Sequence, residues 1–136
     1  MKPILQQAAS AQGANLQMLG AIAMQETDAN PTKDSADGGW GLYQLTHQPG
    51  VSYVQAPDPA FAANYAAAML ARNGRKIASR HPLFSPQDQL LATAASYNLG
   101  PNKFSGDRSK IDDGSIPKGH YGHNVLALMK CFPSPW

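Results

Sequence analysis

The stretch ETDANPTKDSADGGWGLYQLT, residues 26–46, decides how the rest of the chain is read. It opens on Glu26, at the end of an apolar run in which Leu16, Leu19, Ile22, Ala23 and Glu26 recur at helical spacing. That spacing predicts that Glu26 lies on the buried face of a helix. A carboxyl group there loses hydration, which disfavours its charged form and raises its pKa. A general acid working near neutral pH needs such a shift. The helix then gives way to a loop rich in Asp, Gly and Pro, which returns as Gly41-Leu42-Tyr43-Gln44. A glutamate at a helix end, facing a Gly-rich cleft, suits the cleavage of a glycosidic bond.

Upstream, Lys2 to Gln12 holds good helix formers, with Gly13 as its stop. Asn15 is placed to cap the helix that runs to about Glu26. Asn30-Pro31 forces an extended or turn geometry, and Asp37-Gly38-Gly39 is a turn signal. Residues 41–46 are expected to form a turn-like element beneath the cleft. Downstream, Asp58-Pro59 reads as a helix start. Phe61, Tyr65, Met69, Ala62, Ala66 and Leu70 make its apolar stripe as far as about Asn73-Gly74. Ser85-Pro86 repeats the start signal, and Leu90, Leu91, Ala94 and Tyr97 mark the buried face of a helix that ends near Gly100-Pro101. Residues 101–118 read as a long polar loop. Tyr121, Val125, Leu128, Met129 and Phe132 mark a last amphipathic helix, stopped by Pro133 and Pro135. The pattern is mainly α with one loop-rich patch beside the cleft, in a single domain over 1–136.

Composition narrows the function. Charged residues make up 15% of the chain, and Gly and Pro are frequent, which suits folded structure with well-made loops better than disorder. A net charge of +2 suits an acidic polymer such as a cell wall. It is too weak for nucleic acid, and no Lys/Arg stripe with interleaved aromatics is present. Cys131 is alone and reads as a small core thiol. The N-terminus carries no secretory apolar run and the chain no membrane-spanning one, so a mature form, or export by lysis or a dedicated machine, is expected. His120 and His123 lack a third ligand at a usual metal spacing and read as a solvated helix start; no metal or cofactor is expected.

Three motifs carry a family resemblance. Glu26-Thr27-Asp28-Ala29-Asn30-Pro31, followed at ungapped spacing by Gly41-Leu42-Tyr43-Gln44-Leu45, resembles the E-S-x-x-N-P and G-L-M-Q-I pattern of soluble lytic transglycosylases. Goose-type lysozymes share a looser form of it. Ala95-Ser96-Tyr97-Asn98-Leu99-Gly100 is similar to the family's A-A-Y-N-A-G, and Tyr121 with Val125 to the Y-x-x-x-V of its closing helix. The three stand in the family's order and cover about residues 15 to 131.

The resemblance implies a lysozyme-like fold with Glu26 as general acid and then base. It also implies a tyrosine, Tyr97, hydrogen-bonded to that glutamate, Asn98 along the glycan cleft, and Gln44 near the acid and the N-acetyl group of a bound sugar. Thr27 replaces the usual Ser, and its hydroxyl is open to the carboxylate, a sugar or its own backbone. Tyr43 replaces the usual Met in what would be a sugar-facing wall. Tyr121 joins from the last helix, and Trp40 stacks on a sugar or anchors its loop.

A second carboxylate separates two reactions. An inverting hydrolase needs one roughly 6.5 to 9.5 Å from the acid to activate water. A lytic transglycosylase needs none, because the muramic C6 hydroxyl attacks and leaves a 1,6-anhydro end. Asp34 and Asp37 lie in the loop after Glu26, and Asp37 matches a goose-type position better; either also suits a plain turn. Thr46 stands where goose-type lysozymes have a further Asp. On balance these features favour, narrowly, a bacteriolytic muramidase acting as a monomer on peptidoglycan strands at the wall or outside the cell. The alternatives are a lytic transglycosylase, a chitin-active relative and a catalytically silent wall-binding module.

Overall fold

Alanine and capping residues, more than large apolar side chains, shape the helices. The computed structural model describes residues 1–31, 33, 39, 41–45, 48–115 and 119–132. Among them the chain forms α1 (Lys2–Gln12), α2 (Leu16–Thr27), α3 (Pro59–Arg80), α4 (Pro86–Leu99) and α5 (Tyr121–Met129), with a 3-10 turn at Arg108–Lys110 before α5. No strand occurs among the described residues, so the chain is mainly α, as a lysozyme-like fold requires.

Each start has a local cause. Asn15 accepts the Met18 N–H at 2.9 Å and opens α2. Asp58 accepts the Ala60 and Phe61 N–H groups ahead of Pro59. Ser85 and Asp88 form a reciprocal capping box on α4. Gly13, at positive φ, closes α1.

Packing then follows from small faces. Helix α3 lies against α1 and α4, while α5 bridges α2 and α4. Ala62, Ala63, Ala66 and Ala67 are fully buried on α3, so its neighbours approach its backbone closely. The main core gathers Leu5, Met18, Leu19, Ile22, Leu42, Leu45, Leu70 and Val125. A smaller cluster of Ile77, Ala92 and Ile111 sits apart.

Four expectations are corrected. Helix α3 runs through Asn73-Gly74 to Arg80. A mid-helix glycine costs about 1 kcal/mol, and the burial of Ile77 and the Asn73 bond to Ser96 Oγ at 3.1 Å offset it. On α4 the fully buried residues are Ala92, Ala94, Ala95 and Ser96, while Leu90, Leu91 and Tyr97 are half-buried; α3 and α5 grip the helix from two sides. Residues 101–118 are not simply a polar loop, since Ile111, Asp112 and Ser115 are buried. Helix α5 stops at Met129, which leaves Cys131 in a turn beyond it and exposed. Pro133 and Pro135 fall outside the described residues.

Candidate active site

Glu26 occupies the last turn of α2 and is half-buried. Its Oε1 accepts the Tyr121 hydroxyl at 2.6 Å across 95 residues of sequence. Tyr121 is the first residue of α5 and is 3% exposed. Burial, and after it the charge of Glu26, holds the Tyr121 hydroxyl well above the usual tyrosine range. It therefore remains a proton donor to the carboxylate at any working pH.

The turn at residues 41–44 lies beside this pair and is tied down by hydroxyl groups. Thr27 Oγ1 sits 3.0 Å from Leu42 O and 3.0 Å from Ala23 O. Tyr43 is fully buried, and its hydroxyl donates to Leu19 O on α2 at 2.9 Å. Tyr97, from the end of α4, donates to Tyr43 O at 2.6 Å, with its ring centroid 6.5 Å from that of Tyr43. Gln44 Nε2 donates to Lys33 O at 2.8 Å and Gly41 O at 2.9 Å, bracing the loop before the turn.

Gly41 makes the turn possible. Its φ is +69°, and a Cβ there would lie 2.3 Å from the Ala56 carbonyl oxygen. Only a residue without a side chain fits both demands.

Two expected roles, those of Tyr97 and Tyr43, change with these positions, and the open role of Thr27 narrows to the backbone. The hydrogen bond to Glu26 comes from Tyr121; the single hydroxyl proton of Tyr97 goes to Tyr43 O instead. Tyr97 still feels the site, since burial and then the Glu26 charge raise its pKa well above the usual value. Thr27 is 1% exposed, so its hydroxyl serves the backbone and not a sugar. Tyr43 faces the core and α2, not a sugar-facing wall, and burial pushes its hydroxyl far up.

Other expected residues are partly placed. Asn98 is exposed, beside Tyr97 at the end of α4. Asp28 is exposed and caps α2 at positive φ. Asp34, Asp37, Trp40 and Thr46 lie outside the described residues. His120 is exposed at the start of α5, and His123 Nδ1 meets Asp112 at 2.8 Å. Among the described residues no three His, Cys, Asp or Glu side chains gather as a metal site would require.

Two residues near the site have no signal in the sequence. Asp112 and Ser115, inside what reads as a polar loop, are each 2% exposed and bond the first turn of α5. Nothing in their local pattern marks them, because their partners lie beyond residue 120.

Chemically, the centre is a half-buried carboxyl group whose orientation is held by a tyrosine that does not ionise. Such a group can give a proton to a substrate oxygen and take one back. A family model described as the Transglycosylase SLT domain matches residues 3–115. Among curated proteins none matches the chain. The matched span holds Glu26, the 41–44 turn and Tyr97 and ends before α5, so Tyr121 reaches Glu26 from outside it.

Proposed function

Because the chain belongs to the Transglycosylase SLT domain family, whose members act on peptidoglycan, we propose that it is a lytic transglycosylase using Glu26 as its one acid and base. Its bond is the β-1,4 link between N-acetylmuramic acid and N-acetylglucosamine. The observation that supports this reading is the 2.6 Å bond from Tyr121 to Glu26, which orients the carboxyl group at the end of α2.

The steps balance with that one group. Protonated Glu26 gives its proton to the bridging oxygen as that oxygen leaves the muramic C1. N-acetylglucosamine departs with a free 4-hydroxyl. The muramic C6 hydroxyl then bonds to C1, and its proton passes to the Glu26 carboxylate. The acid is restored, and the product carries a 1,6-anhydro end. Asn98, exposed beside the site, is suited to contact the glycan, and Gln44 to shape the floor of the cleft.

A second reading is hydrolysis, with water in place of the C6 hydroxyl. The sequence leans narrowly that way because Asp34 and Asp37 follow Glu26 in one loop. The family match supports peptidoglycan cleavage in either form; we favour transglycosylation because it asks nothing of either aspartate.

Mass spectra of the soluble muropeptides test the choice. Products one water lighter than reducing muropeptides are expected. Reducing ends, together with a loss of about tenfold or more in Asp37→Asn, the lower part of what a general base supplies, overturn transglycosylation in favour of a muramidase. Glu26→Gln keeps the shape of the side chain without the proton. Turbidity loss of a wall suspension should slow by about 10² to 10⁴-fold, with the helical circular dichroism intact. Near-normal lysis by that variant would remove both readings, whereas no turbidity loss with the wild-type protein would leave a wall-binding module.

A further inference from the structure

Helix α5 has no cap of its own. Its N-cap residue, His120, makes no side-chain cap bond, yet the first three N–H groups of the helix are all satisfied. Their partners come from the segment before it. Ser115 Oγ accepts the Tyr121 N–H at 3.0 Å. Asp112 Oδ1 accepts the Gly122 N–H at 2.9 Å, and Oδ2 accepts the His123 N–H at 2.9 Å. The His123 ring closes the set, with Nδ1 2.8 Å from Oδ2.

The Asp112 side chain is 1% exposed. A buried carboxylate is tolerated only where hydrogen bonds and positive charge replace water. Here the N–H groups and the positive end of α5 supply both. The fit is close. A Cβ on Gly122 would lie 2.8 Å from Asp112 Oδ1, 3.0 Å from Leu91 Cδ1 and 3.1 Å from Ala95 Cβ. Glycine at 122 thus lets the carboxylate reach the helix while α5 lies against α4.

We propose that Asp112, helped by Ser115, is a positioning residue for the acid: it fixes the first turn of α5 so that the Tyr121 hydroxyl meets Glu26. The link is short. Gly122 and His123, which Asp112 holds, directly follow Tyr121 in the chain, and Ser115 holds Tyr121 itself. A shift of the helix start moves the hydroxyl and, through the 2.6 Å bond, the proton-bearing carboxyl group. This inference rests on the assignment of Glu26 as the acid.

A double-mutant cycle tests it. Turnover on purified peptidoglycan is measured for wild type, Tyr121→Phe, Asp112→Asn and the pair, each well below its own melting temperature. Asn keeps one acceptor oxygen but turns an NH2 group toward donors, so the helix start loosens. Asp112→Asn should lower kcat by about tenfold, as a small misplacement of a catalytic group does, with KM little changed. In the Tyr121→Phe background the same change should cost nothing further, because the contact it positions is already gone. Equal losses in both backgrounds, or no loss in the wild type, overturn the proposal. Ser115→Ala, a gentler cut, runs the same cycle if Asp112→Asn does not fold. Tyr121→Phe with full activity also overturns it, and Glu26→Gln run in parallel shows whether the acid assignment survives that result.

Discussion

The two ends of α4 are held in different ways. At its start, Ser85 and Asp88 cap each other within three residues, Arg108 pairs with Asp88, and His81 stacks on Phe84. The apolar content there is the small cluster of Ile77, Ala92 and Ile111. At its end, Tyr97 reaches across 54 residues to Tyr43 O, and the turn it meets is tied to α2 by Thr27 and Tyr43. The first end relies chiefly on local caps, with one exposed ion pair from Arg108 added, and such caps stabilise a helix wherever it lies. The second uses directional bonds between distant segments, which set where one element stands against another. Catalysis needs the second kind, since it depends on the relative placement of groups.

The sharpest way to break this contrast is at the turn. Gly41→Ala forces a Cβ onto the Ala56 carbonyl at 2.3 Å and a non-glycine residue to φ +69°. Backbone must move. A loss of at least about 3 kcal/mol, near the upper end for single changes, and loss of wall lysis are expected in urea melts and turbidity assays. A stable, active variant would mean that the turn does not depend on glycine at 41.

Tyr97→Phe sharpens the comparison. It removes one neutral hydroxyl–carbonyl bond, worth about 1 kcal/mol. If that bond places the turn, turnover should fall about fivefold, the rate equivalent of that energy. The fold should persist, since Tyr43 and Thr27 still tie the turn to α2. Circular dichroism with muropeptide release checks both parts. A loss of stability with unchanged turnover would put Tyr97 in the same class as the caps at the other end of the helix.

Ser85→Ala is the smallest expected effect on the chemistry. Losing the cap should cost about 1 kcal/mol of stability, read from denaturant melts. Activity per folded molecule should stay at the wild-type level. If it falls as far as in Tyr97→Phe, the two ends of α4 are coupled, and the division between them fails.

The helix starts were legible from the chain because their causes are local. Asn15, Asp58-Pro59 and Ser85-Pro86 each bond or shape the next few residues, and the apolar spacing of α2 put Glu26 at its end. The family motifs place Glu26, Gln44 and Tyr97 in one region from the sequence alone. Where α3 ends was less legible, since Asn73-Gly74 reads as a stop until Ser96 and Ile77 are known to hold the helix together beyond it.

Tertiary structure alone decided which tyrosine serves the acid. The family resemblance assigns that bond to Tyr97 and only adds Tyr121 to the site, and each has one hydroxyl proton to give. The approach of α5 to both α2 and α4 hands Glu26 to Tyr121 and leaves Tyr97 with Tyr43 O. It likewise turned Thr27 and Tyr43 inward and buried Asp112 beneath a helix that begins nine residues later. A side chain's periodicity tells which face it is on. Its partner depends on where other segments bring a donor or acceptor within about 3 Å, and no local pattern in the chain encodes that distance.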